Sequence, residues 1–140
     1  MFIVQKKTRR ILIAVVLGLV TQLAGCESID APLFGNITRI EIRRNNNELL
    51  STITDAKQIA AVVTFTDSHH AGWGTPWYGV PVPIIVANFY DRETFKGHIG
   101  VGPSFFETQR EGDFLSQSAS NAEIKQFLAL VGLNGNVVFK

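Results

Sequence analysis

Residues 82–90 narrow most sharply what this chain can fold into, because both of their alternating faces are apolar. Val82, Ile84 and Val86 lie on one side, and Ile85, Ala87 and Phe89 on the other. A strand with no polar side belongs in the middle of a sheet, with neighbours paired along both edges. The rest of the chain must therefore supply strands to flank it.

Those strands are readable on either side. Thr38, Ile40 and Ile42 alternate with Arg39, Glu41 and Arg43, the pattern of a half-buried strand. Asn45, Asn46 and Asn47 tolerate left-handed backbone, so 48–53 is expected to return as a second strand. Downstream, a turn at 91–94 leads into 95–101, Gly102 and Pro103 break that strand, and 104–110 forms another. A short strand over 113–117 and an edge strand at 137–139 complete the set.

Two helices are expected. Thr54 and Asp55 are both good N-caps for a helix with Ile59, Val62 and Val63 on one face, ending near Thr66. Ser120 and Glu123 form a capping box, Ile124, Phe127, Leu128 and Val131 make an apolar stripe, and Gly132 is placed to end the second helix. Short connections demand antiparallel pairing. The expected fold is α+β: an antiparallel sheet of about five strands with two helices packed on one face, a two-layer sandwich.

The N-terminus is of another character. Lys6, Lys7, Arg9 and Arg10 precede an uninterrupted apolar run over 11–20, with no acidic residue before Glu27. Ten residues are too few to span a hydrocarbon core, which needs about 20 in a helix. They suit the apolar region of a secretory signal. Leu23, Ala24, Gly25 and Cys26 follow. This segment resembles bacterial lipoprotein precursors, whose lipobox has an aliphatic residue, two small residues and a cysteine. The resemblance covers the first 26 residues only. It implies cleavage between Gly25 and Cys26, diacylglycerol on the Cys26 sulfur, acylation of the freed amine and anchorage in membrane lipid. In that family Asp after the cysteine retains the protein in the inner membrane. Glu27 stands there instead, so the periplasmic face of the outer membrane is expected in a cell with two membranes. The expected organisation is a signal peptide over 1–25, a tether over 26–36 and one domain over 37–140.

Cys26 is the chain's single cysteine, so no internal disulfide can form. Of 13 Lys and Arg residues four precede Cys26, leaving nine against 12 Asp and Glu, a net of −3 after cleavage. Nucleic acid is thereby disfavoured as a partner, since phosphate binding needs a clustered basic face and Glu41 sits among Arg39, Arg43 and Arg44.

Two clusters carry possible chemistry. Asp67, Ser68, His69 and His70 adjoin one another, with His98 as a third imidazole. Neighbouring histidines in extended chain point apart, and no pair has zinc-ligand spacing. A polar helix end, where histidine meets the negative end of the helix dipole, is the preferred account of them. The second cluster is the glycine-rich loop 71–81, which holds Trp73, Trp77 and Tyr78. Such rings serve either as binding anchors or as a lid buried over the core. Asp91, Glu93, Glu107, Glu111 and Asp113 fall mostly at expected turns and are assigned no role. Gly97 and Gly100 mark a bulge or a close backbone approach and form no phosphate-binding fingerprint.

No catalytic residue, metal ligand or cofactor is assigned. A non-enzymatic envelope lipoprotein binding an envelope protein or wall polymer through the loop is preferred. The alternative is a small hydrolytic or metal-dependent envelope enzyme using His69, His70 and His98.

Overall fold

A computed structural model of the chain describes residues 34–135 and 139. The signal segment, Cys26, most of the tether and the expected edge strand at 137–139, apart from Phe139, lie outside the described residues.

The first hairpin pairs β1 (Arg39–Arg44) with β2 (Leu49–Ile53). Its turn works as the three asparagines lead one to expect. Asn47 takes φ 70°, and the Asn46 side chain accepts a hydrogen bond from Glu48 N at 3.0 Å. Helix α1 (Ala56–Ser68) follows, capped by Asp55, whose carboxylate accepts from Gln58 N at 2.9 Å. It runs to Ser68, beyond the expected end at Thr66, and buries Ile59, Val62, Phe65 and Thr66.

Then come β3 (Ile85–Asp91), β4 (Thr94–Val101), β5 (Phe105–Arg110), β6 (Asp113–Ser118) and α2 (Asn121–Leu130). The protein is an α+β fold: one open antiparallel sheet of six strands, in the order β2-β1-β3-β4-β5-β6, and two helices. Six strands agree with the expected count of about five, and the short strand expected over 113–117 is present as β6, paired along its length with β5. β3 sits inside the sheet, bonded to β1 on one side and β4 on the other. It begins at Ile85 rather than Val82 because Pro83 has no N–H to donate to a ladder.

One sheet face carries the core. Ile40, Ala87, Ile99 and Phe106 are all buried there with Ile59, Val62, Ile124 and Phe127 of the helices. Phe106 meets Phe65 of α1 at 5.8 Å and Phe127 of α2 at 5.9 Å between ring centroids, so both helices lie against the same side of β5. Gln58 Nε2 donates to Leu130 O at 2.9 Å, tying the start of α1 to the end of α2.

The capping box forms as expected: Ser120 Oγ accepts from Glu123 N at 3.2 Å, and Glu123 Oε2 accepts from Ser120 N at 2.7 Å. Gly132, at φ 80°, ends α2 in left-handed backbone, and Leu133 N donates back to Leu128 O at 2.8 Å.

Strand register gives the domain two distinct ends. At one end lie Thr38, Asp55 and the β3–β4 turn, and Phe34 stacks on Phe89 with ring centroids 4.4 Å apart. Gly97 makes room for that ring. It adopts φ 146°, and a Cβ there would collide with Phe34. At the other end lie the β1–β2 turn, the end of α1, the loop 69–84 and Ser120.

Candidate functional site

The loop 69–84 grows out of the C-terminus of α1. His69 is the C-cap, and its backbone N–H donates to Thr66 O at 3.0 Å. The chain then folds inward. Trp73 is only 4% exposed, and its indole N–H donates to His69 O at 2.6 Å. It lines a small pocket with Phe65, Ile99, Phe106 and Phe127. Two further links hold this part of the loop to the edge of the sheet. Gly74 and Ser116 exchange both backbone hydrogen bonds, at 3.0 and 2.8 Å, and Gln117 Nε2 donates to Ala71 O.

Beyond Gly74 the loop turns outward. Trp77 is 91% exposed and Tyr78 63%, their rings edge-to-face with centroids 5.6 Å apart. Val80 and Val82 continue the exposed apolar surface. Beneath the two rings a groove of about 310 Å³ separates the loop from β5 and β6. Thr75, Pro76, Trp77 and Tyr78 form one wall, and Ser104, Phe105, Ser116, Gln117 and Ser118 the other. The structure thus divides the tryptophan pair: Trp73 belongs to the core and is withdrawn from any binding surface, while Trp77 and Tyr78 are presented. A larger groove of about 430 Å³ lies at the opposite end, between residues 35–38 and α1. Ile37, Ala56, Ile59, Ala60 and Val63 give it apolar walls, and no ionisable side chain lines it.

The three histidines do not converge. His69 packs on the helix side of the sheet, stacked on Phe65 at 4.2 Å and edge-on to Phe106. Its Nε2 lies 3.1 Å from Glu123 Oε1, and its Nδ1 lies 2.8 Å from Phe65 O and 3.0 Å from Ser68 Oγ. A row of Ser68, His69 and Glu123 looks like a nucleophile, base and acid, but the hydrogen bonds forbid those roles. A carbonyl oxygen can only accept, so Nδ1 carries the proton it shares with Phe65 O and cannot also take one from Ser68. Ser68 Oγ itself donates to Phe65 O at 2.6 Å. His69 is a clasp between the end of α1 and the start of α2. His70 is exposed, with Nδ1 2.7 Å from Asp67 O.

Glu123 titrates accordingly. The Ser120 backbone N–H, the Ser120 hydroxyl and then His69 hold its carboxyl below the ordinary value of 4.5. A carboxyl depressed in the folded state stabilises the fold above its unfolded value, and the contribution disappears as pH falls through the folded one. The urea midpoint should therefore fall from pH 4.5 downward, and Glu123→Gln should flatten that part of the profile. An unchanged profile in the variant would remove Glu123 as its source.

His98 lies on the sheet's other side. Its register partner is Asn88, and its Nε2 is 2.8 Å from Oε1 of Glu107. Glu107 lies in mid-strand, within the strand expected over 104–110, and is only 3% exposed. Residues 106 and 107 point to opposite faces, so Phe106 enters the core and Glu107 the outer side. Gly100 is its register partner, and a Cβ there would strike both the Glu107 side chain and Pro83. That glycine is the one trace in the sequence of a side chain lying across β4. Glu107 Oε2 is buried without a hydrogen-bond partner among the described residues. With two members, this dyad is too small to hold a metal. Among the described residues, no group of three or more His, Cys, Asp and Glu side chains is placed to do so.

No family model, curated protein sequence or solved structure matches the chain.

Proposed function

We propose that this protein is a bacterial cell-envelope lipoprotein, anchored through acylated Cys26, with a non-enzymatic binding or accessory role. Its domain is a two-layer sandwich in which the helices cover one sheet face and the end loop meets the partner. The observation that carries this is the exposure of Trp77, 91%, beside Tyr78. A large indole left in water has a cost that burial in a partner removes, and rings of this kind anchor interfaces. The rest of the loop is held firmly by Trp73 and Gly74, so Trp77 and Tyr78 are presented from a fixed base. The signal segment and lipobox over 6–26 support the envelope address and the outer membrane as destination. Among the described residues no helix is long and apolar enough to cross a membrane, so the acyl chains are the anchor on this view. The candidate partners are an envelope protein and a wall polymer. An enzyme using His69, His70 and His98 is less favoured, because His98 lies on β4 beside Glu107, His69 is engaged with Glu123, and the exposed His70 turns to Asp67 O.

Two arms of one experiment test the address and the loop. Labelling with radioactive palmitate should mark the wild type and spare Cys26→Ser. Cross-linked capture from the native envelope should fall several-fold in Trp77→Ala, with an unchanged melting temperature because the ring is outside the core. Equal labelling of Cys26→Ser would end the lipoprotein assignment, and equal capture by Trp77→Ala would end the role of the loop.

A further inference from the structure

The groove beside Trp77 is chemically specific enough to name a class of partner. None of its lining residues is charged, so neither an anionic nor a cationic ligand would find an ion pair there. Hydroxyl and amide groups dominate its walls instead: Thr75, Ser104, Ser116, Ser118 and Gln117, with Tyr78 at the rim. A hydroxyl both donates and accepts, so walls of this kind suit a ligand that is itself dense in hydroxyls. The Gln117 side chain is itself held in place, its Nε2 donating to Ala71 O.

The exposed indole supplies the second half of the recognition. The negative face of an aromatic ring attracts the weakly positive C–H hydrogens on the flat side of a pyranose. Trp77 offers that face next to polar walls, a combination that fits a sugar better than a purely apolar molecule. The volume of about 310 Å³ lies at the low end of the ~300–1,000 Å³ spanned by small-ligand sites, enough for a short part of a chain. An extended peptide adding itself to the edge of β6 is disfavoured, because Gly74 already holds both backbone groups of Ser116.

We infer that the groove between Trp77 and the β5–β6 edge binds a neutral saccharide chain, with one sugar ring stacked on the indole. The inference rests on the loop being the binding surface and specifies what it binds.

The test uses the full chain purified in detergent, titrated with chitotetraose, cellotetraose and maltotetraose. The chain has two tryptophans, so in a Trp73→Phe background the emission reports Trp77 alone. A saturable change with a dissociation constant on the order of 1 mM is expected. In the wild-type background, heteronuclear NMR should show affinity reduced about tenfold or more by Trp77→Ala and also reduced by Tyr78→Ala. Preference for the N-acetylated oligomer would identify wall glycan as the source, and preference for the plain hexose oligomers another polysaccharide. No saturable binding of any of the three up to about 20 mM would overturn the inference, as would equal binding by Trp77→Ala or binding confined to charged oligosaccharides. If saccharides fail but envelope capture still depends on Trp77, the loop binds a protein. If capture is also independent of Trp77, the proposed function falls with it.

Discussion

Phe106→Ala is expected to remove about 3–5 kcal/mol of unfolding free energy, the usual loss when a fully buried phenylalanine is truncated. Phe106 is 1% exposed, and its ring is the point where both helices meet the sheet. Phe65, Phe127 and His69 all approach it within 6 Å, at 5.8, 5.9 and 5.6 Å. Truncation opens a cavity bordered by three separate elements, which can refill only if the helices shift together. Domains of this size are typically stable by about 5–15 kcal/mol, so the loss is a large fraction of the total. Urea unfolding followed by circular dichroism measures it. A loss below about 1 kcal/mol would mean that the helices do not bear on this ring as described.

His98→Ala should destabilise by a similar amount for an electrostatic reason. Glu107 is buried on the outer face of the sheet, and His98 Nε2 is the partner of its Oε1 at 2.8 Å. Removing one member of a buried polar pair strands the other, at a cost of about 3–5 kcal/mol. Removing both is different in kind. His98→Leu with Glu107→Leu should be at least as stable as His98→Leu or Glu107→Leu alone, since no stranded polar partner remains. A double-mutant cycle by urea unfolding decides the matter. Additive losses would show two independent residues, and a negligible loss for His98→Ala would show that water reaches the carboxylate.

What the sequence made legible was mostly what hydrogen bonds settle within a few residues. The Asp55 cap, the Ser120–Glu123 box, the asparagine turn and the end of α2 at Gly132 all appear as expected, because each signal and its consequence lie within one turn of chain. The central position of β3 was legible because burial on two sides leaves its mark on every residue of a strand. Long-range pairing left fainter marks. The strand holding Glu107 was legible but the burial of its side chain was not, and only the register with Gly100 shows it lying across β4. Nor could spacing say which tryptophan turns inward. Trp73 does so because the His69 carbonyl can accept its indole proton while Phe65 and Phe106 surround the ring, and those groups meet only once the chain has folded.

The two ends of the domain have a mechanical consequence. On the proposed anchorage through Cys26 and partner binding at Trp77, a tension between the two would enter at opposite ends of the strands. β1 leaves from the Phe34 end and β3 receives the chain from the loop end, and the two are direct neighbours. Pulling them apart slides one along the other, loading the register from Arg39 and Tyr90 to Arg44 and Ile85 in shear. The ladder's bonds then resist together rather than opening one after another.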